Sequence, residues 1–326
     1  MSYTIVEEDL DHLASSWSDW RHRLRWGSVF VLPAWLKAWW EVFGGGAQLY
    51  LRTMRQGEEL VGLAPLLVRG DTASFIGSAD VCDYSDFVLV AGQESNAFSV
   101  LLDDLKGNGI RRLDLGPLRP DSTVLTHLVN VARGRGYGVR CQSEEVSLEL
   151  DLPATWSEYL GMLNNKQRHE VRRKLRRLSE LRTAEHECVK VGGEVDERLD
   201  VFLHLFSLSG NEKADFMTAR METFFRLLAR AMAEIGLLRF GTLKVDRVPA
   251  AMTMGFDYNS WHYLYNSAYD PRFGHLSVGL ICKALCLKES IKRGMDKWDF
   301  LKGGEPYKYQ LAGQEVPLYK CRIALS

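Results

Sequence analysis

The chain has 326 residues, 46% of them hydrophobic and 25% charged, and 41 Lys+Arg against 42 Asp+Glu leave a formal charge of -1. That balance excludes collagenous, low-complexity and disordered classes, and it lacks the basic excess of a dedicated DNA-binding protein. No stretch approaches the ~18–20 apolar residues a membrane helix needs, and the acidic start MSYTIVEEDLDHL is unlike a signal peptide, so a cytoplasmic location is expected.

Residues 4–24 read as a polar helix, and Leu32 to Phe43 as an aromatic-rich one closed by Gly44-Gly45-Gly46. From Gln48 the period becomes two: QLYLRTMR, a QGEE turn and LVGLAPLLVRG predict a hairpin. A strand from Ser74, the loop Asp83-Tyr84-Ser85-Asp86 and the apolar FVLV follow. A helix at 96–105, a strand at 110–115, a helix at 123–133 and a strand at 139–150 complete the first half. The second half repeats this order with helices over 156–181, 196–209 and 220–235, a hairpin around the turn DRVP, the strand WHYLYNSAY and the loop DPRFGHLS. A helix from Val278 to Arg293, the strand KWDFLKG, the segment GEPYKYQLAG and a last strand VPLYKCRIAL end it. Identity between the halves is too weak to define a sequence repeat. Domains run ~100–200 residues, so the length suits two units, 1–150 and 151–326, divided where Pro153 follows a strand.

The six cysteines, Cys82, Cys141, Cys188, Cys282, Cys286 and Cys321, form no CxxC pair and are expected as reduced thiols. Cys282 and Cys286 lie one helical turn apart in LICKALCL and read as buried packing, and the eight histidines show no HExxH, so no metal is assigned. Trp17, Trp20, Trp35, Trp39 and Trp40 fall at helical spacings suited to core packing rather than to carbohydrate stacking. No GxSxG, P-loop or GxGxxG sits in strand-turn-helix context, which leaves hydrolase, kinase and Rossmann readings without support.

Three segments carry candidate chemistry. Ser277-Val278-Gly279 opens a long helix after a loop, and unpaired N–H donors at a helix N-terminus suit a phosphate; a plain N-cap with a packing glycine fits the same residues. Asp83 and Asp86 are two acids that suit an amine, or an Asx turn and a cap. The segment from Asn164 to Arg182 carries Lys166, Arg168, Arg172, Arg173, Lys174, Arg176, Arg177 and Arg182 against Glu170 and Glu180, a net +6, with Val171, Leu175 and Leu178 as its apolar stripe. Its outer arginines read first as a solvated face. The alternative is an anion site for CoA phosphates, a phosphorylated acceptor or tRNA, with Arg168 and Arg172, one turn apart, as the contacts.

Taken in order, PAWLKAWWEVFG, LAPLLV, CDYSDFVL, KQRHEVRRKLRRL, SAYDPRFGHLSVGLICKAL and GMDKWDFLKGGEPYKYQLAG resemble GCN5-related N-acetyltransferases (GNAT). The likeness is closest to the double-GNAT family of CelD-type cellulose-biosynthesis proteins, relatives of Fem-type peptidyltransferases. The resemblance implies an α/β (α+β) fold of two tandem GNAT-like units, each a mixed, mostly antiparallel sheet flanked by helices. It also implies acyl transfer from acyl-CoA, such as acetyl-CoA, to an amine of a small-molecule or envelope-precursor acceptor; Fem-type relatives use aminoacyl-tRNA instead. The donor would lie along Tyr265, Asn266 and Ser267, with its pyrophosphate near Arg272, Gly274, Ser277 and Gly279 and with Lys308 as a further contact or a surface charge. Arg272, Gly274 and Gly279 are a loose version of the family's phosphate signature. Tyr307 takes the position of the tyrosine that protonates the leaving thiolate, or else covers the sheet edge; Glu305 suits a base if its surroundings raise its pKa, and Asp83, Asp86 and Asp270 join the acceptor side. A non-catalytic assembly role remains as a further alternative.

Overall fold

A computed structural model describes residues 2–78, 80–181, 183–210 and 215–325. Arg182, one of the cations counted above, lies outside them. The chain divides into two compact units, Met1–Glu145 with Val316–Ser326, and Val146–Glu315.

The first unit opens on a strand, not a helix: β1 (Tyr3–Glu7) pairs antiparallel with β2 (Gln48–Gln56), Tyr3 opposite Gln56. Four alternating residues, TIVE, hold the extended form until Asp9, whose side chain accepts from the His12 N–H and caps α1 (Leu10–Trp20). Pro33 starts α2 (Pro33–Phe43) with Trp35 and Trp39 in the core, and β3 (Glu59–Arg69) returns along β2. Next come β4 (Thr72–Phe75), β5 (Val88–Leu89), α3 (Glu94–Gly107), β6 (Arg112–Leu118), α4 (Val129–Gly134) and β7 (Gly138–Asp151).

The second unit begins within β7. Its helices α5 (Trp156–Met162) and α6 (Asn165–Ser179) divide what reads as one helix in the sequence. Leu163 takes an extended ψ of 139°, and Asn164 restarts the helix with a capping box to Gln167. β8 (Ala184–Lys190) follows, a strand the sequence reading lacks, then α7 (Val195–Leu208), α8 (Ala219–Glu234), β9 (Leu238–Val245), β10 (Val248–Tyr258) and β11 (Trp261–Tyr269). Then come α9 (Val278–Lys292), β12 (Lys297–Lys302) and the short α10 (Pro306–Gln310). The strand order is β7-β12-β11-β10-β9-β8, antiparallel except at β11–β12. Alternation along β9 sends Leu243 into the core with Ile281 and Leu287 of α9, and Phe240 to the opposite face against Phe202 of α7.

The final strand, β13 (Gln314–Ala324), returns to the first unit and pairs antiparallel with β6, Ile323 opposite Leu113. The boundary therefore differs from 151–326: Cys321, Ile323 and Leu325 are buried in the first core, and that burial dictates where the chain end belongs. Cys141 and Cys321, 180 residues apart, are joined as a disulfide, which corrects the expectation of six thiols. No helix among the described residues is long and apolar enough to cross a membrane.

Candidate active site

The feature that organises the second unit is a pair of parallel strands that separate. β11 pairs with β12 only from Trp261–Tyr263 to Lys297–Asp299, while its pairing with β10 runs on to Tyr269. Opposite β10, the register moves from Phe256–Tyr263 to Met254–Asn266, so β11 bulges at Leu264 and Tyr265. Gly255 permits the close approach, since a Cβ there would lie 2.6 Å from the Tyr263 carbonyl oxygen. β12 bends too: Leu301 adopts φ 64°, held by its N–H donating to Asp299 Oδ1 at 2.8 Å. Beyond Tyr263 and Asp299 the two strands no longer pair, and the slot is the gap between their backbones.

Each wall is followed by a helix. After β11, Asp270 caps a 3-10 turn (Pro271–Leu276) by accepting from the Arg272 N–H at 2.9 Å and from its guanidinium at 2.6 and 2.8 Å. The Arg272 guanidinium holds the Asp270 carboxyl below the usual carboxylate range. Arg272, expected on a phosphate, and Asp270, expected on an acceptor, thus build the loop together. Ser277 enters α9 in the left-handed conformation, φ 58°, with no side-chain cap bond, so it is not a conventional N-cap. Around Gly274 a Cβ would meet nothing within 4 Å, whereas at Gly279 it would rest on the Tyr269 ring at 3.4 Å. On β11, Asn266 Oδ1 accepts from the Ser267 N–H, and Tyr265 packs against Phe225 and Phe256 on the face away from α9.

After β12, Lys308 is a fold-building residue, not a phosphate contact. Only 2% exposed, its ammonium donates to the carbonyls of Leu301, Lys302 and Gly303 at 2.9, 2.6 and 3.0 Å and meets Glu305 Oε2 at 2.8 Å. A buried ammonium is stable only when so enclosed. The knot fixes the loop and presents half-buried Tyr307, whose ring meets Phe300 edge-on. Lys283, only 6% exposed, donates to the Gly279 carbonyl at 3.2 Å and sets its ammonium 4.5 Å from the Tyr307 ring centre. The first turns of α9 and Tyr307 are thereby neighbours. Lys283 is absent from the sequence candidates; a single lysine inside the apolar run VGLICKALCL was its signal.

The remaining candidates lie elsewhere. Arg168 donates to the Leu160, Gly161 and Leu163 carbonyls at 2.7, 3.1 and 2.8 Å and closes the C-terminus of α5, so its Nε and Nη2 serve the fold. Arg172 is exposed on α6. In the first unit Asp83 is half-buried, and Asp86 accepts from the Thr123 N–H at 2.8 Å and hydroxyl at 2.6 Å, the capping alternative. Desolvation pushes the Asp86 carboxyl up to about 6, against the lowering by these bonds. It lines a cavity of about 220 Å³ with Arg25, Tyr84 and Arg119.

A family model described as an acetyltransferase (GNAT) domain matches residues 165–309, the region that holds the slot, α9 and Tyr307. Among solved structures the chain is similar to FemX, with a TM-score of 0.66 at 12% identity over 98% of this chain and 96% of that one. It is similar to a C-terminal domain named for lysylphosphatidylglycerol synthetase from Agrobacterium fabrum, at TM-score 0.61 and 11% identity over 97% and 92% of the two chains. A tandem GNAT protein from the clavulanic acid biosynthesis pathway aligns at TM-score 0.50 and 11% identity over 98% of both. No curated protein matches the sequence. The fold is GNAT-like and mixed α/β, as expected, and the domain match bears out an enzyme of the acyltransferase type.

Proposed function

We propose that the chain is an N-acyltransferase that moves an acyl group from acyl-CoA, acetyl-CoA in the simplest case, to an amine on a small molecule or a cell-envelope or polysaccharide precursor, as its CelD-type resemblance implies. The observation that carries this reading is the β11–β12 slot with the start of α9 behind one wall and Tyr307 behind the other. Backbone N–H groups of Val278 and Gly279, at the start of α9, suit the donor pyrophosphate, and Gly274, where a Cβ would meet nothing within 4 Å, leaves room for it. The bulged stretch of β11 offers N–H donors to the thioester oxygen as it becomes an oxyanion.

The amine attacks the thioester carbon, a C–N bond forms, and the amine proton leaves to Glu305 directly or through water. As the C–S bond breaks, the thiolate takes the Tyr307 phenol proton, and solvent restores it. Lys283 holds the ring in place from above. An aminoacyl-tRNA donor is the second reading, favoured by exposed Lys166, Arg172, Arg176 and Arg177 on α6. CoA release measured over a panel of amines tests the first. Tyr307→Phe is expected to lower kcat by about 10²-fold or more while the acetyl-CoA Kd stays within about twofold; unchanged turnover removes Tyr307 from the mechanism. Turnover with charged tRNA alone would transfer the reading to the second donor.

A further inference from the structure

Beneath α9, on the face turned to the sheet, four side chains with metal-binding chemistry converge. Cys282 and Cys286 stand one helical turn apart, both fully buried. Across from them on the edge strand β8, His186 and Cys188 sit at i and i+2, the spacing that places both on one face of a strand. The His186 Nε2 to Cys286 Sγ distance is 3.5 Å, and the ligand atoms of His186, Cys282 and Cys286 all lie within 4.8 Å of one another. The Cys188 thiol adjoins that of Cys286.

The backbone is shaped around these sulfurs. Cys188 pairs with Gly241 of β9, and a Cβ at Gly241 would fall 2.1 Å from Cys286 Sγ. A glycine in mid-strand therefore preserves the space that the sulfur fills. Thr253 Oγ1 lies 3.3 Å from Cys286 Sγ, and Arg293 directs Nη1 to Cys188 Sγ at 3.8 Å. Such outer partners orient thiolates and offset their charge.

We propose that His186, Cys188, Cys282 and Cys286 form a structural zinc site with one imidazole and three thiolate ligands. Zinc–sulfur bonds of about 2.3 Å and zinc–nitrogen bonds of about 2.0–2.1 Å give a tetrahedron with edges of roughly 3.5–3.8 Å. The separations among His186, Cys282 and Cys286 need only small rotamer adjustments to reach it, and Cys188, beside Cys286, supplies the fourth ligand. A soft, sulfur-rich, closed donor set selects zinc over calcium or magnesium. Binding releases three thiol protons and changes no oxidation state. The Cys282–Cys286 pair, read from sequence as packing alone, gains its partners only because β8 folds alongside. The metal ties the edge strand to the helix that opens on Ser277, and the proposal stands independently of the donor's identity.

The test uses the full chain, purified without a polyhistidine tag, with zinc counted by mass spectrometry. About one zinc per chain is expected, with a tenfold or greater loss of zinc affinity in Cys286→Ser and none in Cys82→Ser, a buried thiol of the other unit. Should Cys286→Ser fail to fold, cobalt added to chelator-treated wild-type chain supplies the second readout: tetrahedral thiolate–cobalt absorption bands are expected. A folded wild-type chain that takes up neither metal, or an equal loss in Cys82→Ser, overturns the proposal, as does a Cys188–Cys286 disulfide in freshly purified metal-free protein.

Discussion

Asp86 shows how one side chain accommodates two readings of the same sequence. The loop DYSD offered either an amine site or a cap, and the contacts to Thr123, 37 residues onward, select the cap. Nothing local in the sequence announces so distant a partner. Its carboxyl binds its proton more tightly in the folded chain, at about 6 against an ordinary 3.8, so its contribution to stability is greatest at low pH and is lost as pH rises toward 6. Urea unfolding from pH 4 to 7.5 should therefore show wild type losing stability relative to Asp86→Asn up to about pH 6 and running parallel above it. Parallel curves throughout would contradict the assignment. Lys308 and Arg272 carry the same lesson. Residue type correctly marked them as anion-binding groups, yet the anion or carbonyl each one meets belongs to its own loop. The position of Tyr307, just after the strand KWDFLK, was legible from chain order alone.

At the scale of elements, periodicity located most helices and strands, and what it missed has local causes. Residues 156–181 keep a helical pattern across Leu163, so only the capping box at Asn164 and Gln167 reveals the break. β8, with the pattern AEHECVK, is too polar to stand out, because an edge strand buries little and reads as a loop. The break has a stabilising residue: Arg168 spans it, satisfying three carbonyls at the end of α5. Arg168→Ala should lower unfolding stability by about 1–2 kcal/mol, since charged hydrogen bonds to a helix C-terminus are lost. Arg172→Ala, on the exposed face of the same helix, should stay within about 0.5 kcal/mol. Equal effects in the two variants would place Arg168 among the solvated charges.

For the whole molecule, the sequence's two-unit length and order of elements carried the fold, and the path of the last strand was the part it concealed. VPLYKCRIAL has the same alternation wherever it pairs; only the vacant side of β6 and the first core decide its place. A fragment ending at residue 150 lacks Leu318, Ile323 and Leu325 and leaves β6 without this neighbour, so it should show no cooperative unfolding transition. Appending residues 316–326 through a short flexible linker should restore one. A cooperative transition in the bare fragment would show that β13 is dispensable. The central claim concerns the slot and the start of α9, and calorimetry of the full chain with acetyl-CoA addresses it most directly. The account predicts saturable binding of acetyl-CoA and free CoA, weakened at least tenfold in Gly274→Asp, which sets a carboxylate in the open space before α9; absence of any CoA binding at millimolar ligand would contradict it.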